Sequence, residues 1–181
     1  MIEEVYKDLE EIQRDIEREY EEFARKDFEC KLEHHKQIRP LLARRDRVIA
    51  SMVPGDYWGR VLGRYEVGET ILPRGMNNEV STGWVRSLRV DYLDGYAYMV
   101  EIEVNENEFV GNSTLRKKAY LFEGEVEKSG VRWKGDRRWP VFEFFETDTA
   151  DLDVFDILYE VYVNSVTYFL TSTWESPGII N

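Results

Sequence analysis

Asp153, Asp156 and Glu160 stand three and four residues apart in DLDVFDILYEVYV, a spacing that puts all three carboxylates along one face of a helix. Carboxylates set out this way can accept charged hydrogen bonds from several lysines or arginines at once, which is the chemistry of holding a cationic partner. Glu143, Glu146, Asp148, Asp151 and Glu175 lie in the same stretch, and residues 141 to 181 contain no Lys or Arg to neutralise them. An ordinary solvated helix face carries a charge stripe too, so at this level both readings stand.

Other arrangements point away from catalysis. The chain has no GxxxxGK[ST] loop, no GxGxxG after a strand and no GxSxG, so nucleotide and acyl-transfer signatures are absent. His34 and His35 are adjacent and point about 100° apart on a helix, so they cannot share a metal as an i, i+4 pair does; both are expected to be solvated. Glu101 and Glu103 share a strand face, which reads as a solvent face before it reads as a catalytic carboxylate pair. We therefore expect no enzyme, no metal and no cofactor.

The 181 residues carry 24 Lys and Arg against 36 Asp and Glu, a net charge of −12. That balance disfavours nucleic acid and anionic membranes, and it points to basic partners or simply to solubility. The basic stretch 114–140, with Arg116, Lys117, Lys118, Lys128, Arg132, Lys134, Arg137 and Arg138 beside Trp133 and Trp139, is the one segment suited to nucleic acid, and the rest of the chain would repel phosphate. No apolar run approaches the roughly 18 residues of a membrane span, so no membrane partner is expected. MIEEVYKDLEE lacks the cationic start and apolar block of a signal peptide. The single Cys30 excludes an internal disulfide and fits a reducing compartment.

These side chains need elements to position them. Ile2, Val5, Leu9, Ile12, Ile16, Tyr20 and Phe23 recur as a heptad seam in a stretch without Gly or Pro up to Pro40, the pattern of a helix packed lengthwise on another. A helix over residues 2–38 would run about 55 Å. No second helix of that length is predicted in the chain, so the seam favours a homodimer over the alternative, a helix folded back on its own domain. Pro40 is expected to kink or end the helix, with a shorter helix over about 41–52 built on Leu41, Leu42, Val48, Ile49 and Met52. Residues 1–52 thus form one unit, closed by Pro54-Gly55, and 53–181 a globular one.

Strands are expected at Leu88–Leu93 and Tyr96–Val104, joined by a two-residue turn at Asp94-Gly95, then at Thr114–Phe122 and Val131–Lys134. Residues 63–83, rich in glycine, read mainly as loop. Helices after Pro140, with Phe142, Phe144, Phe145, Leu152, Phe155, Leu158 or Tyr159, Tyr162, Val166 and Phe169 as their apolar set, should cover the sheet. The fold class is α+β: a long N-terminal dimerisation helix, then a four-stranded antiparallel sheet covered by C-terminal helices.

The order of several motifs resembles the nucleosome assembly protein family of histone chaperones. RPLLARRDRVIASMVPGDYW resembles that family's proline-leucine pair followed by arginine, isoleucines and a Pro-x-aromatic-tryptophan. NNEVSTGWVRSLRV is similar to its approach to the first strand. GYAYMVEIEVNENEFVGNSTLRKKAYLF is similar to its second and third strands, VRWK to its tryptophan-lysine strand, and FEFFETDTADLDVFDILYEVYVNSVTYFL to its aromatic start and final helices.

The resemblance implies two long helices paired antiparallel and an acidic concave surface that receives core histones, of either histone pair. It implies a nuclear protein, shuttling with the cytoplasm, that aids nucleosome assembly and disassembly without ATP. On that reading Asp148, Asp151, Asp153, Asp156 and Glu160, then Glu143 and Glu146, form the histone-binding surface. The alternative is an acidic dimeric scaffold or cofactor for a chromatin-modifying enzyme such as a histone acetyltransferase. An antiparallel pair centred near residues 16–20 would hold the two Cys30 residues roughly 30 Å or more apart.

Overall fold

The computed structural model describes residues 2–51 and 55–171. Helix α1 (Ile2–Ala50) runs unbroken for 49 residues, about 70 Å at the helical rise. Glu, Lys and Arg fill its surface, and i, i+4 ion pairs such as Glu21–Arg25 and Asp27–Lys31, each 2.8 Å, brace it.

Pro40 does not end the helix. This corrects the expected break and removes the separate helix over 41–52, of which Met52 lies outside the described residues. A mid-helix proline forfeits one helical hydrogen bond. Here the turns on both sides of it are held to the globular part by Phe28, His35, Leu42 and Arg45, and that packing outweighs the local preference.

Those attachments begin abruptly. Residues 3–24 are exposed at every position. From Phe28 onward, side chains point into the domain: Phe28 meets Tyr92 edge-on at 5.2 Å and Tyr96 at 5.7 Å, and Leu42 is buried. Arg45 lies over the Tyr162 ring at 4.4 Å, donates to the Tyr162 carbonyl and pairs with Asp46 at 2.7 Å. Tyr162 Oη donates back to Asp46 at 2.8 Å.

His35 sits deeper still, 1% exposed, and this overturns its expected solvation. Its Nε2 lies 3.0 Å from Asp91 Oδ1 and its Nδ1 3.1 Å from Tyr159 Oη. A neutral ring satisfies both contacts by donating to the carboxylate and accepting from the phenol. Arg89 donates to the other Asp91 oxygen at 2.7 Å. Burial pushes the Asp91 carboxyl up, but the hydrogen bond from His35 and the charge of Arg89 outweigh it and hold it below the usual range.

Strands β1 (Val85–Leu93), β2 (Ala97–Val104), β3 (Thr114–Tyr120) and β4 (Val126–Lys128) form one antiparallel meander in that order. In β2, Tyr98, Val100, Ile102 and Val104 point inward as their alternation predicts. Leu93 pairs with Ala97, so the hairpin turn holds three residues and not two. Gly95 and Tyr96 both take positive φ there, 80° and 56°.

The fourth strand is displaced from its expected place. Ala119 pairs with Val126 and Lys117 with Lys128, after Gly124 (φ 70°) turns the chain early and before Gly130 (φ 68°) ends the strand. Trp133, in the stretch expected to be the strand, makes only an isolated bridge with Val110.

Short helix α2 (Tyr57–Leu62), a 3-10 turn over Glu66–Thr70, and helices α3 (Pro140–Glu143), α4 (Leu152–Val163) and α5 (Ser165–Leu170) complete the fold. They cover the sheet through aromatic contacts: Tyr98 stacks on Phe155 at 4.2 Å and Trp84 meets Phe142 at 4.7 Å. Leu152 and Val166, expected in the apolar set, are exposed. Asn164 separates α4 from α5, so a single helical period does not carry through both.

His35→Ala would leave the buried Asp91 carboxylate with Arg89 but without the partner of its Oδ1, and would take the His35 contact from the Tyr159 phenol. The expected cost is about 3 kcal/mol, read as a lower denaturant midpoint with an unchanged slope at fixed protein concentration.

Candidate functional site

The acidic C-terminal stretch is held in place by the basic one. Lys117 of β3 is buried, and its Nζ donates to the Phe144 carbonyl and to Thr147 Oγ1, both at 2.8 Å, while lying 4.5 Å from the Phe144 ring centre. Lys128 of β4 donates to the Glu146 carbonyl and to Asp148. Trp133 Nε1 donates to Glu146 Oε1 at 2.8 Å. These anchors give Lys117, Lys128 and Trp133 a structural task, the shaping of the loop between α3 and α4, whereas Arg132, Lys134, Arg137 and Arg138 of the same segment stay exposed.

The seven acids picked out from sequence divide by environment. Asp151 caps α4, accepting from the Val154 amide at 3.2 Å, which satisfies one of the orphan donors of a helix start. Asp148 and Glu146 accept from Lys128 and Trp133 as above. Glu143, Glu146, Thr147 and Asp151 rim a groove of about 410 Å³ floored by Phe144 and Val154. Glu160, farther along α4, accepts from Asn164 Nδ2 at 2.8 Å and from Tyr168 Oη at 3.4 Å. Asp153 is exposed.

Asp156 faces α1. Burial raises its carboxyl above the usual range; Lys31 works against that, and Asp153 and Asp27 add to it. It shares a groove of about 450 Å³ with Asp27, Lys31, Phe28, Phe122 and Leu152. The acidic face of α4 therefore continues onto α1 through Asp27, a residue the sequence reading missed. A separation of well over a hundred residues gives no sequence signal for that contact. Glu143 and Glu146 on one side, Asp153 and Asp156 in the middle and Glu160 beyond thus spread from α3 along α4 rather than converging on one point.

The dimer residues named from sequence also have clear positions. Val5, Leu9, Ile12, Ile16, Tyr20 and Phe23 are all exposed on α1, and Ile12, Ile16, Tyr20 and Phe23 line an open apolar groove of about 420 Å³. The Ile2 side chain lies outside the described residues. Among the described residues, no three His, Cys, Asp or Glu side chains are placed to hold a metal ion, and no helix is long and apolar enough to cross a membrane.

Burial pushes the Lys117 ammonium down to about 8, with Asp151 and Asp148 opposing the fall and Lys128 adding to it. The folded value lies below the ordinary 10.5, so between those two values the unfolded chain holds the proton more tightly and stability rises with pH. Below about 8 the cost of the buried charge is fully present. The stability of the native chain relative to Lys117→Met should therefore rise from pH 8 to pH 10, and denaturant titrations of both at each pH measure it.

No protein-family model matches the chain. An uncharacterized protein of Encephalitozoon cuniculi (strain GB-M1) is 60% identical over 169 residues, covering 93% of this chain and 94% of that protein. Among solved structures, nucleosome assembly protein S from Plasmodium falciparum is 25% identical with a TM-score of 0.53, covering 91% of this chain and 99% of its own. The Vps75 histone chaperone superposes with a TM-score of 0.59 at 14% identity, covering 89% and 96%, a likeness of fold.

Proposed function

The chain belongs to a nucleosome assembly protein-like family, shared with the Encephalitozoon cuniculi protein, and from that membership we propose that it is a histone chaperone. In this reading residues 1–52 join two copies into a homodimer, and residues 53–181 carry the acidic surface that binds core histones. The observation that supports it is the concentration of Asp148, Asp151, Asp153, Asp156, Glu160, Glu143 and Glu146 on α3, α4 and the loop between them, in a stretch whose own sequence has no Lys or Arg.

An exposed ion pair contributes only about 0–1 kcal/mol. Useful affinity for a histone therefore needs many carboxylates at once, and a dimer doubles their number. Long-range attraction speeds encounter and fades as salt screens it. Shielding is an equilibrium exchange of the histone between chaperone and DNA, so it requires neither ATP nor a catalytic residue. Histones as partners imply a nuclear protein that shuttles with the cytoplasm.

The environments rank the acids. Asp153 is solvent-facing and is the cleanest contact candidate. Asp151 spends one oxygen on the α4 cap, so its loss would unsettle the helix as well as the binding surface.

Titrating purified histone pairs at two salt concentrations tests the assignment. Asp153→Lys with Asp156→Lys and Glu160→Lys is expected to weaken binding about tenfold or more at low salt, with the difference shrinking at high salt and the dimer mass unchanged. Asp156→Lys would also face Lys31, so Asp153→Lys alone is the control that disturbs no internal contact. Unchanged affinity in both variants would move the binding surface elsewhere.

A further inference from the structure

Three loops meet at the end of the sheet opposite the β1–β2 turn that α1 holds through Glu29 and Lys36. They are the tight turn after Arg74, the β2–β3 connection around Phe109 and the stretch 132–139 before α3. Between them lies a groove of about 430 Å³, a size that takes a large side chain with its flanking backbone.

Each loop is fixed without a ligand. Gly75 N donates to the Glu79 carbonyl at 2.9 Å and Arg74 Nη1 to the Asn78 carbonyl at 2.8 Å, which closes the first turn. Asn107 Oδ1 accepts from the Phe109 and Val110 amides at 2.8 and 2.9 Å. Lys134 N donates to the Phe109 carbonyl at 2.9 Å, and Arg138 Nη1 to the Gly135 carbonyl at 2.7 Å. A groove formed in advance costs little ordering when it is filled.

Its surfaces are of two kinds. Met76, 93% exposed at its turn, forms an apolar lip. Phe109 and Trp139 form an aromatic wall, edge to face with ring centres 6.5 Å apart. Trp139 Nε1 is buried and, among the described residues, has no hydrogen-bond partner. The indole therefore gives up no bond in turning toward an acceptor. Beside these rings the Arg137 guanidinium and the Glu108 and Asp136 carboxylates are exposed, and among the described residues they make no hydrogen bond or ion pair.

Donors and acceptors set around an aromatic wall suit a peptide, whose backbone offers both N–H and C=O and whose side chain fills the apolar part. A phosphate backbone offers acceptors alone and would meet Glu108 and Asp136. Charge beyond the groove sets the sign of the peptide. Arg132, Lys134 and Arg138 are exposed and spend their hydrogen bonds on the Gly111, Asn107 and Gly135 carbonyls rather than on carboxylates. Their charges stay uncompensated, which favours an acidic segment and repels a cationic one.

We propose that this groove docks an extended segment of a second, non-histone protein, a large apolar residue flanked by acidic ones. The apolar side chain packs between Met76 and the Phe109–Trp139 wall, a backbone carbonyl receives the Trp139 N–H, and an acidic side chain faces Arg137. The site shares no residue with the histone-binding acids proposed above and does not depend on them.

The probe is a short acetylated and amidated peptide with one phenylalanine between two runs of aspartates. Added to the full chain, it is expected to bind with a Kd of about a millimolar or below. It should move downfield one of the indole N–H signals of the five tryptophans, the one missing from Trp139→Phe. Arg137→Glu and Met76→Asp, both at exposed positions, should each weaken it about fivefold, as should alanine in place of the phenylalanine. Equal binding of a peptide with lysines for aspartates, tighter binding of a single-stranded oligonucleotide, or a Trp139 signal unmoved at about 5 mM peptide would overturn the proposal. No histone is present in this titration, so it and the chaperone reading fail separately.

Discussion

The attachment of one half of α1 to the domain is the constraint on which the rest depends. Without it a 49-residue helix bearing so many charges would be a marginal object in water, because isolated helices gain little beyond their own hydrogen bonds. His35 against Asp91 and Tyr159, and Arg45 between Asp46 and Tyr162, are buried or half-buried polar contacts with each donor and acceptor matched. Such contacts specify a geometry more than they add free energy, since desolvation offsets much of their attraction. They fix the direction in which the free half of the helix leaves the domain. They also carry α1 through Pro40, which local preference alone would have made an end.

How much of this was legible in the residues depends on what decided each element. The strand alternation from Tyr98 to Val104 and the heptad from Val5 to Phe23 are set by burial on one side, so period and structure agree. The fourth strand was misplaced because Trp133 and its neighbours carry strand-like residues, whereas Gly124 and Gly130 decide where the chain can turn and stop. His35 looked like half of a solvated pair. Only the approach of β1 and α4, distant in sequence, turns it into a buried link. The acidic segment was legible as composition. The division of its members into cap, anchor and free carboxylate was not, because that depends on Lys128, Trp133 and Asn164 reaching particular oxygens.

The family-level reading and the residue-level reading constrain one another. A fold shared with proteins of low identity fixes where helices and strands go, but not which surface a chain uses. Here the fold brings the sequence's most uncompensated acids onto α3, α4 and the loop between them. The contact of Asp156 with the Asp27–Lys31 turn of α1 then joins that surface to the rod. Rod and surface are mechanically continuous, so in the proposed dimer the alignment of two rods would also decide how two acidic surfaces face each other.

Net charge understates how negative the outside of this chain is. Lys117 is wholly buried on carbonyl and hydroxyl oxygens, Arg45 lies against the Trp58 and Tyr162 rings, and Arg25 lies 3.9 Å over the Phe122 ring. Cations used in this way are withdrawn from solvent or tied to a local partner, whereas Asp153 keeps its carboxylate in water. Arg44 and Arg47, like Arg39, remain exposed on the last third of α1. A chain selected only for an acidic surface would gain nothing from two arginines there. Their position makes physical sense once something negative lies alongside.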